Sequence, residues 1–406
     1  MALKKSLLIA SLGTLIEYYD YALFSLFLPF LTPVFFPAHS QYDALVMGFY
    51  AILIASIARP LGGLVFGYIG DKFGRKVALV ISLYGIAIAT LMIGILPSYH
   101  VIGIWAMILL TLIRAIQMLC YGGEYSGAGI YVVELAKNNR PALIGALLTA
   151  MALVGSVVAS LVGIAITSID KVNPNWRIGF VIGGLMGLIA IYFRRSMTES
   201  IGEHERIQTP SFKQICVLYP KEIFAGICIG GFSTLPFTTV LTFINPWLKT
   251  NGYLDSLQFM QFQFVLSTIA VVTLVLAGFF ADRYSPARVM KKGALALLIL
   301  TIPLAIMLES MNLYWIISAE IILVILNEIL LGPSNAYLKQ IFPVNCRYRG
   351  VAVSFCLGMS LIGGLTPVIE NYLYKATGHL YSIAIWIIIV SFLTLLSLNS
   401  VKRTDQ

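Results

Sequence analysis

Residues 67–76 read GYIGDKFGRK, and residues 278–288 read GFFADRYSPAR. Each stretch sets a glycine four residues ahead of an aspartate (Gly67–Asp71, Gly278–Asp282), with a base directly after it (Lys72, Arg283). Each also closes a long apolar run. Working outward from these loops, and reading runs of at least about 18 residues as membrane spans, the chain divides into twelve. Their extents are 8–36, 44–70, 77–96, 101–134, 141–167, 177–193, 222–248, 256–280, 289–309, 312–337, 350–374 and 380–400. The first loop follows the second run and the second loop follows the eighth, so one six-run unit occurs twice. The polar connection 194–221 (RRSMTESIGEHERIQTPSFKQ and onward) separates the units. The sequence therefore predicts an all-α membrane protein of twelve transmembrane helices in two pseudo-symmetric six-helix bundles. The bundles fall at 1–193 and 222–406, with 194–221 as a cytoplasmic linker.

Composition agrees. Of 406 residues, 59% are hydrophobic and 11% charged, with a mean hydropathy of +0.89. A soluble domain is about 25% charged, so these charges are too few to coat a water-facing surface. Strands are excluded because the runs do not alternate and an open sheet edge cannot sit in hydrocarbon. The net charge of +9 does not point to nucleic acid, because the bases are segregated. Lys171, Arg177, Lys249 and Lys375 fall near one side, and Arg59 and Arg114 within spans; the rest of the 27 collect on the other side. Bases collect in cytoplasmic loops, which puts both termini inside. The first run is too long for a signal peptide and carries two acids, so it reads as mature structure. None of the five cysteines falls on the oxidising side, and His39, His100, His204 and His379 are scattered. Neither a disulfide nor a metal site is expected, and no cofactor.

The informative residues are the charges inside the spans. Glu17 and Asp20 lie one turn apart on one face of the first helix, where an ionised acid costs about 2.5–3.5 kcal/mol unless it is paired or wetted. Arg114 stands at a depth comparable with Asp20. Arg59 opens RPLGG, where Pro60 predicts a distortion; it reads as a substrate contact or as a structural arginine paired with an acid or carbonyl. Glu124 follows two glycines in YGGEYSG. Helix ten carries Glu320, Asn327 and Glu328, and alignment of the two halves sets Glu320 opposite Arg114. Ser233, Thr234, Thr238, Thr239, Thr242 and Asn245 form a polar lining on helix seven, with intrahelical back-bonding of the threonines as the bland reading. Tyr18, Tyr19, Tyr21 and Trp247 are candidates for an aromatic cage. In the first loop, Asp71 suits a helix start, and Arg75 and Lys76 can meet a carboxylate such as Glu134.

Together GTLIEYYDYALF (13–24), RPLGGLVFGYIGDKFGRK (59–76), RAIQMLCYGGEYSGAGIYVVE (114–134) and IFPVNCRYRGVAVSFCLGMSLIGGLTP (341–367) resemble the major facilitator superfamily. Within it they resemble the metabolite:proton symporters, which include proline/betaine, shikimate, citrate and oxoglutarate carriers. The resemblance implies the major facilitator fold and a cytoplasmic gate at Gly67, Asp71, Gly74, Arg75, Lys76, Glu134, Arg140, Asp282, Arg283 and Arg347. In the related sugar–proton symporters, an acid matching Asp20 is protonatable and faces an arginine matching Arg114. That implies Asp20 as proton carrier and Arg114 as its counter-ion, against the reading of a static pair. Glu17 could share the proton, bond the substrate or cap the wet end of the cavity. Cavity candidates are Tyr18, Tyr21, Arg59, Glu124, Thr238, Thr242, Asn245, Glu320, Asn327 and Glu328. Gln340 and Pro286 replace the Glu and the base usual in the branch, which implies a weaker clamp in the second half. The chain stops at VKRTDQ without the coiled-coil tail of some osmosensing members, so osmosensing by that device is not expected.

The function expected is proton-coupled symport of a small carboxylate-bearing metabolite by alternating access, a zwitterion such as proline or betaine or else an organic acid. Its partners are that solute, protons and membrane lipid, with no nucleic acid, in a monomer in a bacterial cytoplasmic membrane. A uniporter stays open. A drug–proton antiporter is disfavoured, because helix five (ALIGALLTAMALVGSVVASLVG) lacks the GPxxGG-like kink. A non-transporting nutrient sensor is the alternative of another class. No nucleophile or acid/base cluster suggests an enzyme.

Overall fold

The computed structural model describes residues 2–73, 75–135, 140–170, 174–195, 212–310, 312–343 and 346–401; residues 2–10, 70–72, 75, 123–135, 193–195, 212 and 348 are described by their backbone alone. Among the described residues, the first six spans are α1 (Ala2–Phe35), α2 (Gln41–Ser56 continued by Ala58–Phe73), α3 (Arg75–Ile95), α4 (Ile104–Leu135), α5 (Pro141–Ile169) and α6 (Trp176–Arg195). The second six are α7 (Pro220–Thr238, Thr239–Ile244 and Asn245–Thr250), α8 (Ser256–Tyr284), α9 (Pro286–Glu309), α10 (Leu313–Ile341), α11 (Arg347–Gly358, Met359–Gly363 and Gly364–Thr377) and α12 (Ala384–Ser400). Among the described residues, ten helices are long and apolar enough by length and composition to cross a membrane, and Trp176–Tyr192 is a shorter apolar helix. Large apolar side chains such as Trp105, Ile189, Ile299, Ile306 and Phe392 are more than half exposed, which suits lipid as the outer solvent.

Helix pairing repeats between the halves. In the first, α1 packs on α5, α2 on α4 and α3 on α6; in the second, α7 packs on α11, α8 on α10 and α9 on α12. Two glycines set equivalent close approaches. A Cβ on Gly122 of α4 would lie 2.0 Å from the Arg59 carbonyl of α2, and one on Gly332 of α10 would lie 2.7 Å from the Leu274 carbonyl of α8. Such contact needs a missing side chain.

The distortions fall where the chemistry requires them. Pro60 has no N–H for the carbonyl of residue 56, and α2 breaks at Ile57. Pro236 precedes a π-helical turn over Thr239–Ile244 in α7, and Met359–Gly363 of α11 is also π-helical. Such turns are frequent at functional sites. The α2 break meets the α11 turn directly, where Ser56 Oγ donates to the Ser360 carbonyl at 3.4 Å.

Contacts join the halves at both ends. At the end bearing the two Gly–Asp loops, Asp282 Oδ1 and Oδ2 accept the backbone N–H groups of Ala142 and Leu143, each at 2.9 Å. This caps α5 from the other half. At the opposite end Tyr42 donates to Asn371 Oδ1 at 2.6 Å, Thr242 donates to Ser25 at 3.4 Å and Phe49 packs on Phe243.

Candidate functional site

The helical repeat turns Glu17 and Asp20 to the same side of α1, and both are buried, at 1% and 0% exposure. Each meets an arginine from a different helix. Arg59 Nη2 donates to Glu17 Oε1 at 2.8 Å, and Arg114 Nη1 donates to Asp20 Oδ2 at 3.1 Å. Asp20 also accepts from Thr90 Oγ1 at 2.8 Å and, at Oδ2, from the Tyr121 hydroxyl. Arg114 Nη1 reaches Gln117 Oε1 at 2.7 Å, and Gln117 Nε2 reaches Thr90 Oγ1 at 3.0 Å, closing a ring of polar groups around Asp20. Aromatic faces cover both cations: Arg114 lies 4.0 Å from the Phe24 ring centre, and Arg59 lies 5.8 Å from that of Tyr121.

Beside these pairs lies a narrow cavity between the halves. The first half lines it with Glu17, Tyr18, Tyr21, Arg59 and Leu153, and the second with Ser233, Thr234, Phe237, Asn327, Glu328, Leu331 and Met359. Tyr21 and Phe237 stack across it with ring centres 6.4 Å apart. Glu328 Oε1 accepts from Asn327 Nδ2 at 2.9 Å, whereas Glu328 Oε2, in a side chain 1% exposed, has no hydrogen-bond partner.

Several expected cavity residues lie elsewhere. Thr238 bonds back to the Thr234 carbonyl at 2.7 Å, and Thr242 is taken up by Ser25 between the halves. Asn245 and Glu320 lie beside one another inside the second half, so Glu320 does not meet Arg114. The reason is the pseudo-symmetry itself. Each residue turns toward the first helix of its own bundle, Arg114 toward Asp20 on α1 and Glu320 toward Asn245 on α7. The proposed cage also divides: Tyr19 is rotated away, its hydroxyl donating to the Gly179 carbonyl at 2.8 Å. Trp247 packs on Tyr253 and Tyr374. Only Tyr18 and Tyr21, three residues apart, stay on the cavity face.

Of the expected gate, Asp282 reaches α5 across the halves, and Arg140 lies 6.0 Å from the ring centre of Phe279 in α8. Arg283 rests on Tyr284, Arg347 Nε donates to the Phe342 carbonyl, and Gly67 and Lys76 lie where α2 gives way to α3. The side chains of Asp71, Arg75, Glu124 and Glu134, and Gly74 itself, lie outside the described residues. Sequence reasoning missed Thr90, Gln117 and Tyr121. Gln117 and Tyr121 stand three and seven residues after Arg114, on its own helix face, and that spacing could have revealed them; Thr90 comes from α3 and carried no such signal. It also missed Glu370, which accepts from Thr239 at 2.5 Å at the start of the α7 π-turn.

Two six-helix bundles holding paired intramembrane charges beside a cavity define a secondary transporter. The chain belongs to the Major Facilitator Superfamily, whose profile matches residues 10–367. It is 31% identical over 404 residues to a putative proline/betaine transporter of Staphylococcus haemolyticus, covering 96% of this chain and 86% of that one. It is 29% identical over 425 residues to the proline/betaine transporter of Escherichia coli K12, covering 99% and 84%. Among solved structures, the E. coli xylose transporter XylE in a partially occluded inward-open conformation aligns with a TM-score of 0.76 at 18% identity, over 100% of this chain and 99% of that one. The human organic anion transporter MFSD10 aligns at 0.68 and 14% identity, over 98% and 100%.

Proposed function

We propose that the protein is a proton-coupled symporter that carries a small carboxylate-bearing solute, of the proline/betaine kind, by alternating access. Residues 1–193 and 222–406 are the two moving bodies and 194–221 joins them. The protein works as a monomer in the cytoplasmic membrane with both termini inside, which makes the end bearing Asp282 the cytoplasmic one. The names of the relatives support the solute class.

The observation that carries the reading is the surroundings of Asp20. A fully buried carboxylate holds three side-chain donors from α3 and α4, one of them a guanidinium. Bonds of this kind to a charged group contribute about 1.5–3 kcal/mol each and vanish or weaken when the acid is neutralised. A proton arriving at Asp20 therefore loosens α1 from α3 and α4, and loss of that proton draws them together. Arg114 keeps its charge throughout. Arg59, held by Glu17 at one nitrogen and lining the cavity, is the group that meets the solute carboxylate.

The test is uptake in proteoliposomes of labelled proline, betaine, oxoglutarate, citrate and shikimate, with and without an inward proton gradient. One solute accumulates only with the gradient, and Asp20→Asn exchanges that solute without accumulating it. Accumulation by the Asn variant would move the proton site to another acid.

A further inference from the structure

We propose that the second half binds a sodium ion between Glu320 of α10 and Asn245 and the Leu241 carbonyl of α7, beside Gln263 of α8. The site is separate from the solute cavity and from Asp20, and it does not depend on which solute is carried.

Buried charge is balanced in one half and not in the other. Among the described residues, the first half buries Glu17, Asp20, Arg59 and Arg114, which form two ion pairs. The second half buries Glu320, Glu328 and Glu370 and, among the described residues, no lysine or arginine. A buried carboxylate stays ionised only beside a counter-charge and otherwise takes up a proton. Glu328 and Glu370 each accept one bond, from Asn327 and Thr239. Glu320, at 0% exposure, accepts none at either oxygen. It lies against Asn245, yet neither polar atom of that buried amide completes a hydrogen bond of good geometry.

The backbone adds a further oxygen. At the end of the π-helical turn Thr239–Ile244, the N–H of Asn245 bonds to the Val240 carbonyl, five residues back. The Leu241 carbonyl thereby loses that donor, and the next residue, Pro246, has no N–H to offer. Helical carbonyls point toward the C-terminal end, so this one points toward Asn245. Leu241, Gln263 and Val324 line one small cavity enclosed by α7, α8 and α10. Asn245 stands one turn beyond Leu241, and Glu320 stands one turn before Val324 on a helix that runs the other way. Both therefore lie at the cavity end where Gln263 is, whose buried Nε2 is likewise unpartnered.

A proton on Glu320 supplies one donor and serves one of the remaining acceptors. A cation serves the carboxylate, the amide oxygen and the carbonyl together, and freed helical carbonyls coordinate sodium in other transporter folds. One carboxylate matches one positive charge, and an all-oxygen set suits a hard ion. No metal-ligand spacing marks the site in the sequence, because only one of its ligands is an acid. Phe237 lines both this cavity and the solute cavity, and Thr242 of the same turn meets Ser25 of the other half. An ion that fixes the α7 turn therefore favours the arrangement that holds solute, and by linkage solute favours the ion.

The experiment measures binding of labelled sodium to the purified protein, with choline replacing sodium at constant ionic strength. Wild-type protein should bind one ion saturably, and its thermal midpoint should rise by about 2 °C or more in sodium over choline. Glu320→Gln should abolish both effects. Asn245→Ala, which keeps the acid, should weaken sodium binding at least about tenfold, a loss of 1.4 kcal/mol. Midpoints in choline report whether each variant folds, and the wild-type comparison needs no variant at all. In proteoliposomes under a fixed proton gradient, sodium should lower the wild-type KM for solute about fivefold or more; a KM indifferent to sodium overturns the coupling through α7. Absence of saturable sodium binding by the wild type, with equal midpoints in sodium and choline, overturns the site and leaves Glu320 neutralised by a proton. So does binding that Glu320→Gln retains, which would place the ion elsewhere. Either result leaves the transport reading standing, whereas absence of gradient-driven uptake for every solute overturns that reading and not the sodium site.

Discussion

The Arg59 guanidinium lies 5.8 Å from the centre of the Tyr121 ring, and the hydroxyl of that ring donates to Asp20. One side chain of α4 thus links Arg59, which lines the cavity, to the buried acid Asp20. The backbone enforces the contact, because Gly122 lets α4 approach the Arg59 carbonyl.

Removing the hydroxyl alone separates these roles. Tyr121→Phe keeps the ring beneath Arg59 and takes one donor from Asp20. Gradient-driven accumulation should fall several-fold, while solute exchange without a gradient changes less than about twofold, which is about 0.4 kcal/mol at 1.4 kcal/mol per factor of ten. Tyr121→Leu, which also removes the ring, should lose solute affinity as well. Uptake and counterflow in the same vesicles distinguish the two. Equal loss of both rates in Tyr121→Phe would mean that the hydroxyl supports the fold and not the coupling.

The Glu17–Arg59 pair makes a prediction about stability. Taking away one partner of a buried ion pair leaves an uncompensated charge and costs about 3–5 kcal/mol, whereas replacing both by neutral groups costs far less. Glu17→Gln and Arg59→Gln should each lower the thermal midpoint in detergent more than the double variant does. Additive losses would show that the pair is already wetted enough to be independent of its partner.

At the other end of the seam, Asp282 caps α5 in place of a residue of α5's own half. Its two oxygens meet two successive backbone N–H groups at the positive end of a helix dipole. Asp282→Ala removes a cap worth about 1 kcal/mol, and only while the halves are closed at this end. The variant should shift toward the state open there. Spin labels at exposed Leu147 on α5 and Phe280 on α8 should report a longer distance in the variant. An unchanged distance distribution would leave the seam held by its apolar packing, such as Gly278 on Ala146.

The recurrence of Gly67–Asp71 in Gly278–Asp282 was enough to read the twelve spans, the two six-helix units and the break at Pro60, because lipid imposes span length and proline a missing donor. The pairing of Asp20 with Arg114 was also within reach, since a buried acid needs a partner and few cations lie inside the spans. Depth along a helix is legible in this way; rotation about it is less so. Glu320 has the right depth to meet Arg114 but faces Asn245. Tyr19 sits between two cavity residues and points to α6. Thr90 could not be assigned at all, because nothing in α3 marks which of its faces α1 approaches. Asp282 is legible as a recurrent loop residue, but its partners, the backbone amides of Ala142 and Leu143, are groups that the sequence of side chains does not display.

The second Gly–Asp loop differs from the first in one further respect. Three residues after the aspartate, the first loop has Gly74 and the second has Ser285. Ser285 joins α8 to α9 with φ 101 and ψ 133, a region that residues with a Cβ rarely adopt. Strain at such a position is of order 1–3 kcal/mol, and glycine carries none of it, although its freer unfolded chain returns about 0.5–1 kcal/mol of the gain. Ser285→Gly should therefore stabilise the protein by about 1 kcal/mol, read as a rise in the thermal midpoint of the purified protein. Ser285→Ala is the control: it loses the hydroxyl but keeps the Cβ, so it should show no rise. If both substitutions lower the midpoint equally, the serine side chain contributes more here than its backbone costs, and the glycine of the first loop answers to a different constraint.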